Sequence, residues 1–238
     1  MDPTTPCKRA TSGVIVAGTA RAGMRPHRGR LPPSLGSLAV GIARYDEQPY
    51  GCSWIMDESL ARASHALVTD AGVWLVDPVD APEALERVRA LGPVAGVVQL
   101  LDRHNRDCTA LSARFGVPHE RLPAALPGTP FELVRVLDVP RWHEAALWWP
   151  QPRVLAVAEA VGTVPLFTAG SGRASVHPLR RPFPPGALRR FAPEHLLVGH
   201  GLGVHGPEAT PALRHALSRS RRDIPRLLAM LPKLARNS

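Results

Sequence analysis

The sequence has few cysteines and no long hydrophobic run, and both absences narrow the class of protein. Its three cysteines, Cys7, Cys52 and Cys108, are an odd number at irregular spacing and form no disulfide framework. No stretch approaches the roughly 18 apolar residues of a membrane-spanning helix. The apolar run at residues 13–18 is too short for a signal-peptide core, and arginines follow it closely. We therefore expect a cytoplasmic protein with no membrane association.

An excess of acidic residues is also missing, since the net charge is +9. Residues 1–48 carry seven basic and three acidic side chains, and residues 208–238 carry seven and two, whereas residues 49–207 are neutral. Nucleic-acid binding requires a continuous basic face. Nucleic acid is therefore not the expected partner. A high-GC coding bias explains the abundance of arginine as well as nucleic-acid binding would.

The 238 residues are enough to bury a full core in one domain with appendages. Residues 1–48 are rich in Pro, Gly, Arg, Ser and Thr without any sustained period, which predicts a disordered basic leader. Residues 49–207 form the predicted domain. Residues 208–238 are predicted to be a basic helical segment, with a break near Pro225, that packs on the domain or extends from it.

The first half of the domain has the pattern of a hairpin followed by a strand–helix–strand unit. Residues 66–68 and 73–76 flank the turn signal Thr69-Asp70-Ala71-Gly72. Residues 81–91 have apolar side chains at helical spacing, and Gly92-Pro93 ends that helix. Residues 94–101 are unbroken in hydrophobicity, which predicts a strand buried on both faces and parallel to the preceding one.

The second half repeats a similar order without repeating the sequence. A short helix at 109–115 is closed by Gly116, and residues 132–139 alternate as a strand does. Residues 145–149 and 154–157 are predicted to be a second hairpin, followed by a loop (165–185), a short helix (185–191) and a last strand (196–198). The two halves together predict an α/β protein in which hairpins precede helix and strand units.

Two apolar runs end in polar side chains that can bind metals. Residues 97–108, VVQLLDRHNRDC, end in a cluster of Asp, Arg, His, Asn and Cys, and residues 195–201, HLLVGHG, end in Gly-His-Gly. The pair resembles the metallo-β-lactamase superfamily, in which the motif HxHxDH follows such a strand and the last ligand is a strand-end histidine. The early Gly51 and Trp54 also match that family. The resemblance implies a four-layer αββα sandwich.

The central motif departs from the family at most of its positions. Arg103 and Asn105 replace the first two histidines, and neither suits zinc, which prefers nitrogen and sulfur donors. Asp107 matches the family's Asp, as a metal ligand and catalytic group, and Cys108 replaces the last His. A thiolate is a good zinc ligand, although a small buried side chain is the alternative for Cys108. His104 faces away in the family pattern, and here it is a candidate replacement ligand or base.

The resemblance also assigns roles farther along the chain. His143 matches a third histidine ligand, and Glu159 matches the metal-bridging Asp at the end of a strand. An acid after an apolar strand is costly to bury unless it is paired or ligated, which favours a functional role for Glu159. His200 is the clearest match. Asp77 matches an Asp that orients the metal-binding histidines, with an ordinary turn Asp before Pro78 as the alternative.

These residues support two functions equally. The first is a hydrolase of a small ester, thioester, lactone or phosphoester that uses one Zn²⁺ at most. The second is a catalytically inactive binding or interaction protein that has lost its metals. In either case the expected partner is a small molecule, and Arg103 and Arg106 suit an anionic one. Surface arginines paired with Asp102 or Asp107 are the alternative. The sequence does not determine the oligomeric state.

Overall fold

The computed structural model describes residues 41–104 and 106–234, so Asn105 and most of the predicted leader lie outside the described residues. The first sheet has six strands in sequence order, and its last three strands are parallel to one another. Its strands are β1 (Ile42–Gln48), β2 (Gly51–Met56), β3 (Ala63–Thr69), β4 (Gly72–Val76), β5 (Val94–Gln99) and β6 (His119–Arg121).

The second sheet has five strands in the order β13-β12-β9-β8-β7, and a two-stranded ribbon, β10-β11, lies beside it. Within it β9 and β12 are parallel, and the other neighbours are antiparallel. The strands are β7 (Glu132–Val139), β8 (Trp142–Trp149), β9 (Val154–Val157), β10 (Val161–Gly162), β11 (Ser175–Val176), β12 (His195–Val198) and β13 (Val204–His205).

The two sheets pack face to face, with helices on the outer faces. On β4, Trp74 and Val76 join the core between the sheets, whereas Val73 and Leu75 face a second apolar cluster with the helices. This alternation follows from the two-residue period of a strand. The helices are α1 (Pro82–Leu91), α2 (Cys108–Phe115), α3 (Pro165–Thr168), α4 (Ala209–Arg219) and α5 (Ile224–Leu234).

The predicted α/β four-layer αββα sandwich is confirmed by this arrangement. Residues of α1 and of the start of α2 pack on the outer face of the first sheet, and α4 contacts β12 of the second. The first helix of the basic C-terminal segment, α4, therefore packs on the second sheet. No helix in the described ranges is long and apolar enough to cross a membrane.

Several sequence predictions differ from the structure in their boundaries. The first strand, Ile42–Gln48, lies inside the predicted leader. It was not predicted because its buried and exposed residues do not alternate regularly, so its strand pattern is weak. The predicted loop at 165–185 contains α3 and β11, and β13 follows the predicted last strand. These elements have two to four residues, too few to show a period. The predicted hairpins, the helix at 81–91 and the parallel strand at 94–101 are confirmed.

One rim of the sandwich collects the ends of the strands that carry the candidate site residues. Asp77 follows β4, His104 follows β5, Glu159 follows β9, and His200 follows β12. Parallel neighbours end at the same edge of a sheet, which brings each pair of ends together. Contacts between the sheets then join the pairs: Ala63 donates its N–H to the carbonyl of Gly199 at 2.9 Å.

A buried histidine on β3 makes the stability of this fold dependent on pH. His65 is 3% exposed, and its Nδ1 lies 2.7 Å from the hydroxyl of Ser53. Burial lowers the pKa of His65 from 6.5 to about 4. The folded protein therefore holds this ring neutral at a pH where the unfolded chain protonates it.

We predict that His65 lowers the free energy of unfolding by up to about 3 kcal/mol as the pH falls from 6.5 to 4. The sign follows because the unfolded chain binds the extra proton, so stability is complete above pH 6.5 and decreases below it. His65→Gln should flatten the pH dependence in this window by that amount, measured by urea denaturation at successive pH values. Parallel curves for the two proteins would contradict the prediction.

Candidate metal centre

Three side chains at the rim form a cluster with the geometry of a metal site. His104, Glu159 and His200 each offer one ligand atom, and these atoms all lie within 4.8 Å of one another. Each residue follows a buried strand, so the rigid sheets fix where the side chains begin. The side chains are 6%, 16% and 7% exposed, respectively. The cluster is therefore nearly closed to solvent.

The ring of His200 has its tautomer set by a backbone hydrogen bond. Its Nδ1 lies 2.9 Å from the carbonyl oxygen of Leu60, which can only accept. A neutral ring that donates from Nδ1 leaves a lone pair on Nε2. That Nε2 lies 3.7 Å from Oε1 of Glu159. A metal ion bound between these two electron-rich atoms would offset their repulsion, as would a proton or the neighbouring guanidinium of Arg103.

His104 lies between two carboxylates. Its Nε2 is 3.2 Å from Oε1 of Glu159, and its Nδ1 is 3.8 Å from Oδ2 of Asp77, yet both ring nitrogens are buried without a well-aligned hydrogen bond. Burial alone would lower the pKa of His104, but the two carboxylates raise it above its usual value. A carboxylate behind an imidazole that faces a cluster is the usual orientation of a metal-binding histidine.

Asp77 is held in place by an unusual backbone conformation. Its φ is +45°, which few non-glycine residues adopt, and its side chain is buried. Its Oδ1 accepts the N–H of Leu100 at 3.1 Å. This bond ties the end of β4 to the end of β5, so that Oδ2 faces His104.

Glu159 is the most strongly stabilised anion of the cluster. Burial opposes its ionisation, but His104, His200 and Arg103 together hold the pKa of Glu159 far below its usual range. Nη2 of Arg103 lies 2.6 Å from Oε2 of Glu159. The same guanidinium stacks on Trp142, with its carbon 3.7 Å from the ring centroid.

Two residues beside the cluster were not predicted from the sequence. Glu144 is fully buried, and its Oε1 accepts the backbone N–H groups of Ala158, Glu159 and Ala160 at 2.9 to 3.0 Å. Burial raises the pKa of Glu144 to about 7. The signal available in the sequence was an acid at the start of an otherwise apolar stretch, Ala145 to Trp149.

His177 is the second unpredicted residue, and it forms part of the aromatic wall around the cluster. Its ring lies 4.8 Å from Trp142 and 5.0 Å from Phe167, and Phe167 in turn stacks on His200 at 5.7 Å. Burial lowers the pKa of His177 to about 4, so the ring is neutral at pH 7. Its sequence neighbourhood, a predicted loop, gave no sign of this position.

The structure does not bring Asp107 or Cys108 into the cluster. Oδ2 of Asp107 accepts the N–H of Asp80 at 2.8 Å, so this carboxylate braces the loop before α1. Cys108 is the first residue of α2 and is 1% exposed in the apolar cluster beneath the first sheet. Burial raises the pKa of the Cys108 thiol, which disfavours the thiolate that metal binding requires.

His143 is paired outside the cluster, and each of the two arginines has a hydrogen-bond partner within the protein. His143 is on β8, and its Nδ1 lies 2.6 Å from Oδ1 of Asp138 across the β7–β8 hairpin, away from the three clustered residues. Arg106 is buried and donates from Nη2 to the carbonyl of Gly199 at 2.9 Å. Arg103 is paired with Glu159. The guanidinium of Arg106 therefore makes a contact within the protein and is not exposed to bind a substrate.

The donor set fits a divalent metal ion. Two imidazole nitrogens and one carboxylate oxygen are the ligands of many zinc, iron and manganese sites, and three protein ligands leave a coordination position open. The tautomer of His200 and the unsatisfied nitrogens of His104 both meet the requirements of such an ion. A protonated His104 is the other way to balance the charge of Glu159.

A surface cavity of about 580 Å³ borders the loop that follows His200. Its lining includes Arg44, Thr163, Arg173 and Gly201. None of the three clustered side chains lines it. The cavity and the cluster are therefore separate features that meet at Gly201.

Solved metallo-β-lactamase structures have the same fold. The metallo-β-lactamase DIM-1, from a structure exposed to ceftazidime, gives a TM-score of 0.54 at 12% identity, over 76% of this chain and 97% of that chain. A metallo-β-lactamase from Pontibacter korlensis gives 0.55 at 15% identity, over 75% and 98%. No family model and no curated protein sequence matches the chain. The likeness at these identities shows the fold.

The glycines around His200 serve backbone packing within the protein. A Cβ on Gly199 would lie 2.2 Å from the carbonyl oxygen of Ala158, and Gly201 has a φ of +97°. Gly199 thereby allows the ends of β9 and β12, which lead to Glu159 and His200, to approach each other.

We predict that Gly199→Ala destabilises the protein by about 1–3 kcal/mol, because the new methyl group overlaps backbone that cannot move without shifting β9. The matched control is Gly186→Ala, where a Cβ meets nothing within 4 Å and a change within about 0.5 kcal/mol is expected. Chemical denaturation measures both. Equal stability of the two variants would refute the close packing of the strand ends.

Proposed function

We propose that this chain, which has the metallo-β-lactamase fold, binds one divalent metal ion through His104, Glu159 and His200 and hydrolyses a small ester, thioester, lactone or phosphoester. The single observation that carries the proposal is the facing pair formed by Nε2 of His200 and Oε1 of Glu159, 3.7 Å apart. The hydrogen bond to Leu60 directs a lone pair of His200 toward this carboxylate. Zn²⁺ is the ion we favour for two imidazoles and one carboxylate.

A metal ion bound here would supply Lewis-acid polarisation of a substrate carbonyl or phosphoryl oxygen. The protein supplies the remaining parts of the site. Asp77 orients the ring of His104, and the carbonyl of Leu60 orients the ring of His200. The aromatic wall of Trp142, His177 and Phe167 excludes bulk water from one side.

Arg103 is the residue that we propose for binding an anionic group of the substrate. Only its Nη2 bonds Glu159, and the side chain is 39% exposed on the face of Trp142. The other guanidinium nitrogens are donors of the kind that bind carboxylate or phosphate. This supports a small anionic substrate, with the ester, lactone or phosphoester bond beside the cluster.

A single ion is the stoichiometry that the donor positions support. Asp107 and Cys108, the sequence candidates for further ligands, have their side chains in a loop brace and in the core, respectively. Among the described residues, one group of three metal-ligating side chains lies close enough together to hold an ion.

We predict that the full chain binds about one Zn²⁺ and that His200→Ala or Glu159→Gln weakens binding by more than about a hundredfold. The reason is that removing a direct ligand costs more than removing a residue that only orients one, which costs 10- to 100-fold. Isothermal titration with Zn²⁺, followed by elemental analysis, measures the affinity and stoichiometry.

The control for this experiment is His143→Ala. This histidine is paired with Asp138 and stands apart from the cluster, so its loss should leave Zn²⁺ affinity unchanged. Failure of the unmodified chain to bind Zn²⁺, Mn²⁺ or Fe²⁺ would refute the metal site. If the metal binds, ester, thioester, lactone and phosphoester substrates then test the hydrolase.

The second candidate function is a catalytically inactive binding protein, and one observation favours it. The guanidinium of Arg103 already balances the charge of Glu159 without a metal ion, because it pairs with this carboxylate at 2.6 Å. A fixed guanidinium in this position competes with a cation for the carboxylate. The same small, anionic ligand class suits this alternative.

We predict that Arg103→Ala separates the two functions. In an active metal site the variant should bind Zn²⁺ about as tightly as the unmodified chain but lose turnover of anionic substrates. In an inactive site, where Arg103 replaces the metal, the variant should gain Zn²⁺ affinity by tenfold or more. Titration of Zn²⁺ and turnover measured on the same preparations distinguish the two outcomes.

A further inference from the structure

Glu144 is a fully buried acid, and one of its carboxyl oxygens contacts the loop that carries Glu159. Its Oε1 accepts the N–H groups of Ala158 and Glu159 at 3.0 Å and that of Ala160 at 2.9 Å. Its Oε2 lies 3.3 Å from the indole nitrogen of Trp142, which donates to it. Among the described residues, these three N–H groups have no other hydrogen-bond acceptor.

The backbone on either side of Glu144 holds the other loop of the cluster. The carbonyl of His143 accepts the N–H of Asp102 at 3.1 Å, and the N–H of Ala145 donates to the carbonyl of Leu100 at 2.8 Å. These bonds fix the start of the loop that leads to Arg103 and His104. Residues 143–145 therefore contact both ligand-bearing loops. Their main chain holds the loop of His104, and the carboxyl group of Glu144 holds the loop of Glu159.

The physical reason for an acid at this position is the set of three convergent donors. Buried N–H groups without acceptors destabilise a fold, and here one carboxyl oxygen accepts all three of them. A loop whose three successive N–H groups point at one oxygen has little freedom to rotate. Consequently the side chain of Glu159 leaves the loop in a fixed direction, toward His104 and His200.

We propose that Glu144 is a positioning residue for the metal site: it holds the loop of Glu159 in the conformation that binds the ion. The proposal rests on the metal site proposed above. Glu144 itself does not contact the ion, since its two oxygens are occupied by backbone and indole donors.

The test compares Glu144→Gln and Glu144→Ala in the full chain. Glutamine keeps the shape and one acceptor oxygen but removes the charge, and we expect about tenfold weaker Zn²⁺ binding. Alanine removes the acceptor, and we expect about hundredfold weaker binding, the upper range for residues that orient metal ligands. In the metal-free alanine variant, hydrogen exchange at residues 158–160 should accelerate by tenfold or more relative to the core strands.

The matched control is Asp223→Asn. Asp223 is another buried carboxyl, and it accepts hydrogen bonds from Ser171 and Arg219 at the start of α5, with no contact to the three clustered residues. Its loss should lower the unfolding free energy while leaving Zn²⁺ affinity and exchange at 158–160 unchanged. This separates positioning of the loop from a general loss of stability.

Unchanged Zn²⁺ affinity in a folded Glu144→Ala protein would overturn the proposal, as would equal losses of affinity in the Glu144 and Asp223 variants. Failure of the unmodified chain to bind any of Zn²⁺, Mn²⁺ and Fe²⁺ would instead overturn the proposed function. In that case the exchange measurement still decides whether Glu144 holds the loop, because it requires no metal. Unchanged exchange at residues 158–160 would overturn that part as well.

Discussion

The buried negative charge of Glu159 is the constraint on which the rest of the rim depends. A carboxylate this enclosed is stable only beside compensating cations or hydrogen-bond donors. Two imidazoles and a guanidinium surround it, and a second acid, Glu144, holds the loop from behind. Every neighbouring feature, from the aromatic wall to the conformation of Asp77, serves to keep these groups close together with little solvent.

The sandwich allows such an arrangement because it brings together strand ends that are far apart in the sequence. Parallel neighbours deliver Glu159 and His200 from the second sheet, and Asp77 and His104 from the first. Each loop is short and begins at a rigid strand, so little conformational entropy is lost in ordering it. The sheets need alternating apolar side chains, whereas the site needs only a few side chains at the strand ends.

The sequence predicted the fold more completely than the site. Long alternating or continuous apolar stretches, such as residues 94–101 and 132–139, predicted strands that the structure confirms. Glu159 was selected because an acid after an apolar strand needs a partner, and the structure pairs it; His200 was selected by its match to the family motif. Cys108 shows the limit, because a motif position does not reveal whether a helix will turn its side chain into the core.

Periodicity predicted an α/β chain of hairpins, helices and parallel strands, because local spacing is recorded directly in a sequence. The resemblance to the metallo-β-lactamase superfamily added the four-layer sandwich and the strand ends that carry metal-binding side chains. Only the tertiary structure decided which of those side chains meet. The inward orientation of His104 depends on contacts with residues distant in the chain, Asp77 and Glu159. The pairing of His143 with Asp138 depends on the register of the β7–β8 hairpin. The role of Glu144 was hidden for the same reason, since its three partners lie on a separate loop.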